Sequence, residues 1–309
     1  MKTAVIEPTA VPLERSWTMA DLAQLVKARL TFLVLVTTAV GFYAGWQGAM
    51  DFVALMHAVL GTALAAAGAA ALNQWWEHKF DAIMVRTQMR PIPSGRMLPR
   101  EGLIVGIALS IGGVIYLAVT VNFISATLAA ATIGIYLFAY TPLKRISTTN
   151  TLVGAIPGAL PPLIGWAAAR DDLALPAWTL FAILFFWQLP HFFAIGWVYR
   201  EDYERAGFVM LSGRDLEGAR TGRQSIFFTV LLLVASVTPV WFGMVSLLYL
   251  PIAISLGGLF LGLAFRFQTF RRACRRVGEE SVPRSMPAVH CRFRSRRRPD
   301  CSERQHSRD

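Results

Sequence analysis

Residues 51–95 read DFVALMHAVLGTALAAAGAAALNQWWEHKFDAIMVRTQMRPIPSG, and the change of character within this stretch decides the fold class. Its first half is almost entirely apolar and is long enough to cross a lipid bilayer, which takes about 20 helical residues. Its second half, from residue 73, is dense in polar and charged side chains. Because membrane helices ordinarily carry few polar groups at the membrane edge, this density predicts a bound ligand at that end.

The apolar pattern recurs along the whole chain. Of its 309 residues, 55% are hydrophobic, and the mean hydropathy is +0.47. A soluble domain of this length would leave too much apolar surface in water, whereas helices in lipid satisfy their own backbone hydrogen bonds. We therefore predict an all-α, polytopic membrane bundle of about eight helices. The expected spans are residues 30–46, 52–72, 102–121, 123–140, 151–169, 177–198, 225–243 and 245–265.

Basic residues are concentrated on one side of the predicted membrane domain. They follow the second, fourth and sixth spans, whereas the opposite loops carry almost none, Arg170 being the exception. The excess of Lys and Arg in cytoplasmic loops predicts that these loops and the N-terminus lie in the cytoplasm. The first residues, MKTAVIEPTAVPLERSW, match neither a secretory signal nor a transit peptide, so a bacterial inner membrane is the expected location.

The formal net charge of +11 does not indicate nucleic-acid binding. Residues 271–309 hold twelve Arg and five acidic residues, so +7 of that charge lies in the C-terminal tail. The three cysteines, Cys274, Cys291 and Cys301, also lie there. No disulfide framework or thiolate metal site is therefore expected in the membrane domain.

The first candidate site lies at the polar end of the second span. Asn73, Glu77 and Asp81 follow one another at intervals of four, which places them on one face of a helix, over roughly 12 Å of its axis. Mg²⁺ prefers such oxygen ligands and takes one or two carboxylates together with water and phosphate. Arg86 and Arg90 follow, and guanidinium groups bind phosphate oxygens in a forked geometry. The pattern favours a Mg²⁺–diphosphate site; the alternative is a solvated helix end with salt bridges.

A second acidic cluster follows the sixth span, in VYREDYERAG. Glu201, Asp202 and Glu204 are flanked by Arg200 and Arg205. Two such clusters on one side of the membrane indicate two halves that face each other and share one diphosphate. An ordinary charged helix end is the alternative.

Two further segments are candidates for the same site. YTPLKR, after the fourth span, adds Lys144 and Arg145 on the same side, as diphosphate ligands or as a simple topology signal. NTLVGAIPGALPPLIGWAAA carries Gly154 and Gly158 at small-xxx-small spacing together with three prolines. That composition fits the wall of a cavity or close helix packing equally well.

These motifs together resemble the UbiA-type intramembrane prenyltransferases, over roughly residues 20–265. The run Asn73-x-x-x-Glu77-x-x-x-Asp81 is similar to the first signature of that superfamily, with Glu77 standing where many members have Asp. The blocks DAIMVRTQMRP, YTPLKR, GAIPGALPPLIGW, WQLPHF and EDY resemble the branch that farnesylates protohaem IX to make haem O.

The resemblance implies a fold, a reaction and a set of partners. The helices are expected to surround a central cavity that opens to the cytoplasmic side. Farnesyl diphosphate, held by Mg²⁺, would lose diphosphate to give an allylic cation, and a vinyl carbon of haem B would attack it, with water capturing the resulting centre. The product serves haem–copper oxidase maturation, so haem A synthase and oxidase assembly factors are candidate partners, besides the lipid bilayer.

The resemblance also distributes roles over the candidate residues. The expected catalytic residues are Asn73, Glu77, Asp81, Glu201 and Asp202. Those expected to bind Mg²⁺ are Asn73, Glu77, Asp81 and Asp202. Those expected to bind the diphosphate are Arg86, Arg90, Lys144, Arg145 and Arg200. His191 is the candidate haem ligand, through iron or a propionate; a buried histidine satisfied by a neighbouring helix is the alternative.

Two other functions compete with this interpretation. A sister prenyltransferase that alkylates a quinone-precursor ring would share both acidic clusters, so only the haem-branch blocks separate the two. A transporter would also carry polar helix ends and broken helices. It would, however, need charged groups at mid-span, and the spans 30–46, 102–121, 123–140 and 225–243 contain no Asp, Glu, Lys or Arg.

The predicted organisation has three parts: an N-terminal cytoplasmic segment 1–25, a membrane domain 26–268 and a tail 269–309. The tail is rich in Arg, Ser and Pro and is expected to be disordered. The resemblance implies a ninth span at this point, which the sequence lacks. A native basic tail and a shifted reading frame are the two explanations, and we favour the second.

Overall fold

The computed structural model of the chain describes residues 17–215 and 217–279, and within that range it contains helices and no strands. One short π-helical stretch, Ile135–Tyr140, lies between α5 and α6. The α-helices are α1 (Met19–Leu25), α2 (Ala28–Gly45), α3 (Phe52–Asp81), α4 (Pro99–Thr120), α5 (Phe123–Gly134), α6 (Thr141–Leu143), α7 (Asn150–Ala159), α8 (Pro161–Arg170), α9 (Leu175–Val198), α10 (Arg200–Arg205), α11 (Leu211–Arg214), α12 (Ala219–Trp241) and α13 (Tyr249–Glu279).

Eight helical stretches of the described chain are long and apolar enough to cross a membrane. Their outer faces are apolar as well: Leu30 is 61% exposed and Val119 79% exposed. Such surface suits lipid rather than water, and the predicted eight-span, all-α bundle is confirmed. The spans are Ala28–Gly45, Phe52–Asp81, Pro99–Thr120, Phe123–Leu143, Asn150–Arg170, Leu175–Val198, Ala219–Trp241 and Tyr249–Thr269.

Small residues bring the helix backbones together. Gly41 of α2 faces the backbone of Pro162, and Gly165 of α8 faces the carbonyl of Thr38, so that a Cβ at either glycine would overlap main-chain atoms. Helices in lipid gain little from hydrophobic contact with each other, so close packing of small residues holds them together.

The segment with Gly154, Gly158 and three prolines forms the two helices α7 and α8, which meet at Leu160. Gly154 contacts the ring of Tyr140, and Gly158 contacts the side chain of Gln188. At 67% buried, this span is the most enclosed of the eight. These contacts favour the helix-packing interpretation of the segment.

The last helix of the membrane domain is longer than its membrane-spanning part. Helix α13 runs to Glu279, whereas the stretch suited to a membrane ends at Thr269. Four of the nine residues in RRACRRVGE are arginine, a strong helix former, and this propensity favours the extension. Residues 280–309, to which the predictions of disorder and of a shifted frame mainly apply, lie outside the described residues, as do residues 1–16.

Candidate active site

The first acidic motif lies on the last three turns of α3. This helix continues nine residues beyond the predicted end of the apolar span at 72. Asn73, Glu77 and Asp81 are therefore on one helix face, as the four-residue spacing predicts, and all three side chains are buried. The oxygen atoms point into the bundle and not into solvent.

Two cations pair with the two carboxylates of this face. Lys144 Nζ donates to Glu77 Oε1 over 2.6 Å, and Arg90 Nη1 donates to Asp81 Oδ2 over 2.6 Å. Buried charges of this kind are tolerated only when they are paired and hydrogen-bonded. The second oxygen of Asp81, Oδ1, is buried and has no hydrogen-bond partner.

Asn73 is held by residues from outside α3. Its Oδ1 accepts from Lys27 Nζ over 2.8 Å and from the Tyr136 hydroxyl over 3.1 Å. Its Nδ2 donates to Thr141 Oγ1 over 3.3 Å. The π-helical stretch brings Tyr136 and Thr141 into this position, and π-helical turns occur frequently at functional sites.

The pKa values of the two lysines of the site are shifted in opposite directions. Burial, together with the positive charges of Arg90 and Lys144, lowers the pKa of Lys27 to about 7. Burial also acts to lower the pKa of Lys144, but Tyr140 and Glu77 outweigh it, and that pKa lies above its ordinary value. Lys144 is thus a permanent cation of the site.

The loop DAIMVRTQMRP after α3 is folded against the bundle. Thr87 Oγ1 donates to the carbonyl of Asp81 over 2.9 Å, and Met84 is buried against Ala206 and Phe208. These contacts fix the loop, and they hold the Arg90 guanidinium at Asp81.

Arg86, in the same loop, reaches the second acidic motif. Its backbone N–H donates to Asp202 Oδ2 over 3.2 Å. Its guanidinium lies 5.0 Å from the ring centre of Tyr199 and donates to the Tyr203 hydroxyl over 3.3 Å. The structure therefore brings the two acidic motifs side by side at one end of the bundle.

The second motif lies on the separate short helix α10. The Asp202 side chain is 13% exposed and also accepts from Arg205 Nη1 over 3.1 Å. Glu201 is exposed, and the Arg200 guanidinium lies 5.0 Å from the ring centre of Trp197. Asp202 of this motif contacts the loop of the first motif.

Arg145 and His191 both lie against aromatic rings. The Arg145 guanidinium lies 4.6 Å from the ring centre of Phe80. His191 is on the exposed side of α9, and its ring stacks on Trp187 at 5.1 Å. No described contact tests its predicted role as a haem ligand, and that role stays a prediction.

Aromatic residues of α9 pack against neighbouring helices. Phe193 is buried in a cluster with Ala155 and Leu189, and Phe186 stacks on Phe228 of α12. Tyr136 and Tyr140 stack on each other at 5.6 Å and are among the aromatic rings beside the first motif.

Sequence reasoning missed Lys27 and Tyr136. Lys27 reads as a topology charge before the first span, and Tyr136 as one apolar residue among many. The left-handed backbone of Lys27, at φ 50, is a structural signal for a special position that sequence spacing does not carry.

The donor set fits Mg²⁺. Two carboxylates and an amide oxygen line one helix face, and the unpartnered Asp81 Oδ1 offers a further contact. Within the described residues, no three His, Cys, Asp or Glu side chains are grouped closely enough to hold a metal by themselves. An ion that keeps several waters and takes phosphate oxygens needs no such group.

Comparisons with known proteins show the family of the chain. The profile of the UbiA prenyltransferase family matches residues 34–276. The protoheme IX farnesyltransferase of Solibacter usitatus is 45% identical over 268 residues, which cover 84% of this chain and 90% of that protein. The enzyme of the same name from Koribacter versatilis is 39% identical over 275 residues, covering 88% and 89%.

Solved structures share the fold at low identity. A structure of digeranylgeranylglyceryl phosphate synthase has a TM-score of 0.67 at 14% identity and covers 84% of this chain and 95% of that one. A UbiA homolog from Archaeoglobus fulgidus, bound to GPP and Mg²⁺, has a TM-score of 0.60 at 13% identity, covering 87% and 91%. The family profile, the relatives and the eight spans together show that the chain is a multi-span membrane protein of the UbiA prenyltransferase family.

Proposed function

We propose that this protein transfers the farnesyl group of farnesyl diphosphate to a vinyl group of haem B, which gives haem O and diphosphate. The relatives named protoheme IX farnesyltransferase support this substrate pair, since they match most of the chain at 39–45% identity. The site is assigned to the cytoplasmic face of a bacterial inner membrane, because the basic loops lie at its end of the bundle.

One observation carries the proposal: two acidic motifs and three cations meet at one end of the bundle. Glu77 and Asp81 pair with Lys144 and Arg90, and Arg86 joins their loop to Asp202. A diphosphate held through a divalent cation needs both signs of charge close together. Single ion pairs on a solvated helix end would not be buried in this way.

The metal would be held by oxygen donors already described. Asn73, Glu77, Asp81 and Asp202 are the side chains that would bind Mg²⁺. When bound, Mg²⁺ would neutralise charge on the departing diphosphate, as divalent cations do in phosphoryl and prenyl chemistry.

The chain's own cations act on the leaving group. The C–O bond of the farnesyl carbon breaks, and its electron pair departs with the diphosphate. Arg86, Arg90 and Lys144 stabilise the developing negative charge, Lys144 from a buried position. The vinyl π electrons of haem B then form the new C–C bond, and water captures the resulting cation with loss of a proton.

Aromatic faces suit the allylic cation. The rings of Tyr136 and Tyr140 stack beside Asn73, and Lys144 Nζ lies 4.4 Å from the ring centre of Tyr140. Aromatic faces stabilise cations without acting as strong nucleophiles. The two rings therefore protect the carbocation from early capture.

The test is the mass of the product. Detergent-solubilised protein is incubated with haem B, farnesyl diphosphate and Mg²⁺, and the molecular mass of the extracted haem is measured by mass spectrometry. The proposal predicts a haem heavier by one farnesyl group and one hydroxyl group. A quinone-precursor ring is offered in a parallel reaction; if that ring is prenylated and haem B is not, the sister activity is the correct one.

A further inference from the structure

A cavity of about 440 Å³ opens beside Glu77, at the same end of the bundle as the acidic motifs. Its size is within the range of about 300–1,000 Å³ that small-molecule sites occupy. It is formed by the end of α3, the end of the fourth span and the loop before α11. The lining residues are Trp76, Glu77, Phe80, Thr141, Pro142, Arg145, Ile146 and Phe208.

The wall of this cavity is apolar and aromatic, with two charged groups. Glu77 is engaged by Lys144 Nζ at 2.6 Å. Arg145 is exposed, lies over the face of Phe80 at 4.6 Å, and takes part in none of the ion pairs of the described chain. The cavity therefore presents an available guanidinium above an aromatic surface.

Lys144 and Arg145 are neighbours in sequence, but their side chains point in different directions. Lys144 points into the bundle and is buried against Glu77, whereas Arg145 turns outward to Phe80. An anion bound by Arg145 would be separated from the Arg90 and Lys144 cations that face the first motif. Arg145 is thus available for a different anion from the diphosphate.

We propose that this cavity binds the acceptor, a planar tetrapyrrole, with Arg145 binding a propionate and the aromatic wall contacting the macrocycle. The inference rests on the proposed function and names where its second substrate docks. A tetrapyrrole has apolar faces and an anionic edge, which matches an aromatic wall with one guanidinium at its rim. A prenyl chain carries its charge on the diphosphate alone and would leave Arg145 without a partner.

The cavity also lies next to the predicted diphosphate site. Glu77 lines it, and the same carboxylate is part of the stripe that pairs with Lys144. A macrocycle in the cavity therefore lies next to the predicted diphosphate site, where the prenyl carbon would be released. Arg145 becomes a specificity residue for the acceptor, and not the diphosphate ligand that the sequence predicts.

The experiment measures haem binding without turnover. Solubilised protein is titrated with haem B, followed by its absorption spectrum, in the absence of farnesyl diphosphate and Mg²⁺. Arg145→Ala should weaken haem binding about tenfold, as expected for loss of one charge-assisted contact. Arg145→Lys should restore part of the affinity, since lysine keeps the charge but not the fork.

The dimethyl ester of haem B, whose propionates are uncharged, separates charge from shape. Wild-type protein should bind the ester about as weakly as Arg145→Ala binds haem B, and the variant should not distinguish the two ligands. Trp76→Ala should weaken the binding of haem B and of its ester by the same factor, because it removes an aromatic contact with the macrocycle and no charge. Arg100→Ala, a change of an exposed arginine in the first turn of α4, is the matched control and should bind haem B as wild type does.

Three outcomes would overturn the inference. Unchanged haem affinity in Arg145→Ala would exclude the propionate contact. A raised KM for farnesyl diphosphate with normal haem binding would return Arg145 to the diphosphate site. If wild type makes haem O but neither Trp76→Ala nor Arg145→Ala changes the affinity for haem B, the cavity is not the haem site, and the proposed function still stands. If wild type makes no haem O, the proposed function itself is refuted.

Discussion

The backbone N–H of Arg86 donates to Asp202 Oδ2 over 3.2 Å, across 116 residues of sequence. This bond connects the loop of the first acidic motif to the second, and it turns two separate helix ends into one site. Met84 reinforces the contact by packing on Ala206 and Phe208.

Arg90 should act on the diphosphate and not only on Asp81. We expect Arg90→Ala to raise the KM for farnesyl diphosphate at least about tenfold, since a charge-assisted bond of this kind is lost. Arg90→Lys should restore the KM for farnesyl diphosphate only in part, because lysine lacks the forked geometry of arginine. Steady-state kinetics with haem B held saturating measure this, and a KM equal to wild type in Arg90→Ala would show that the residue serves the fold alone.

The Lys144–Glu77 pair should be a stability element as well as a site element. Lys144→Met leaves the Glu77 carboxylate buried without its cation, which costs about 3–5 kcal/mol for pairs of this type. The double change Lys144→Met with Glu77→Gln should recover most of the thermal stability and none of the activity. Thermal unfolding in detergent, followed by size-exclusion chromatography, reports the first effect. A single variant as stable as the double would contradict the buried pair.

Stability at acid pH should depend on Asp21. A backbone hydrogen bond from Thr18, together with the Arg96 guanidinium, holds the pKa of Asp21 below its ordinary value of 3.8. Because the folded pKa is the lower one, this contribution is present above about pH 4 and is lost as the pH falls through the folded value. Asp21→Asn should lower the Tm at pH 7 but leave a smaller drop between pH 7 and pH 3 than wild type shows. An equal fall in Tm between pH 7 and pH 3 in the two proteins would show that Asp21 does not contribute to the pH dependence of stability.

Helix packing at the α2–α8 crossing should tolerate no side chain. Gly165→Ala places a methyl group on the carbonyl of Thr38, and overpacking of this kind costs about 1–3 kcal/mol. Gly112→Ala on α4, where a Cβ meets nothing within 4 Å, is the matched control. It should be neutral or stabilising by up to about 1 kcal/mol, because alanine favours the helix. Equal Tm values for the two variants would contradict the close approach.

The spans and the oxygen stripe were predictable from the sequence because each rests on local periodicity. Apolar blocks of membrane length predict helices, and a four-residue interval places Asn73, Glu77 and Asp81 on one face. The partners of that stripe were less accessible, because Lys27 and Tyr136 reach Asn73 only through tertiary packing.

The division between Lys144 and Arg145 was also beyond sequence reasoning. Both residues are basic and adjacent, so composition assigns them one role. The π-helical stretch and the short helix after it set the direction of each side chain, and only the folded backbone shows that one faces Glu77 and the other Phe80.

The most direct test of the central claim is the binding of inorganic pyrophosphate with and without Mg²⁺, measured by calorimetry on wild type, Asp81→Asn and Asp202→Asn. If both motifs share one diphosphate, wild type binds pyrophosphate much more tightly with Mg²⁺. Each single variant should lose about tenfold or more of that gain, since each replaces an anionic carboxylate by a neutral amide. Glu204→Ala, an exposed acid on the same short helix as Asp202, is the control and should bind as wild type does. Full Mg²⁺-dependent binding in Asp202→Asn, with loss confined to Asp81→Asn, would mean that the second motif is no part of the site.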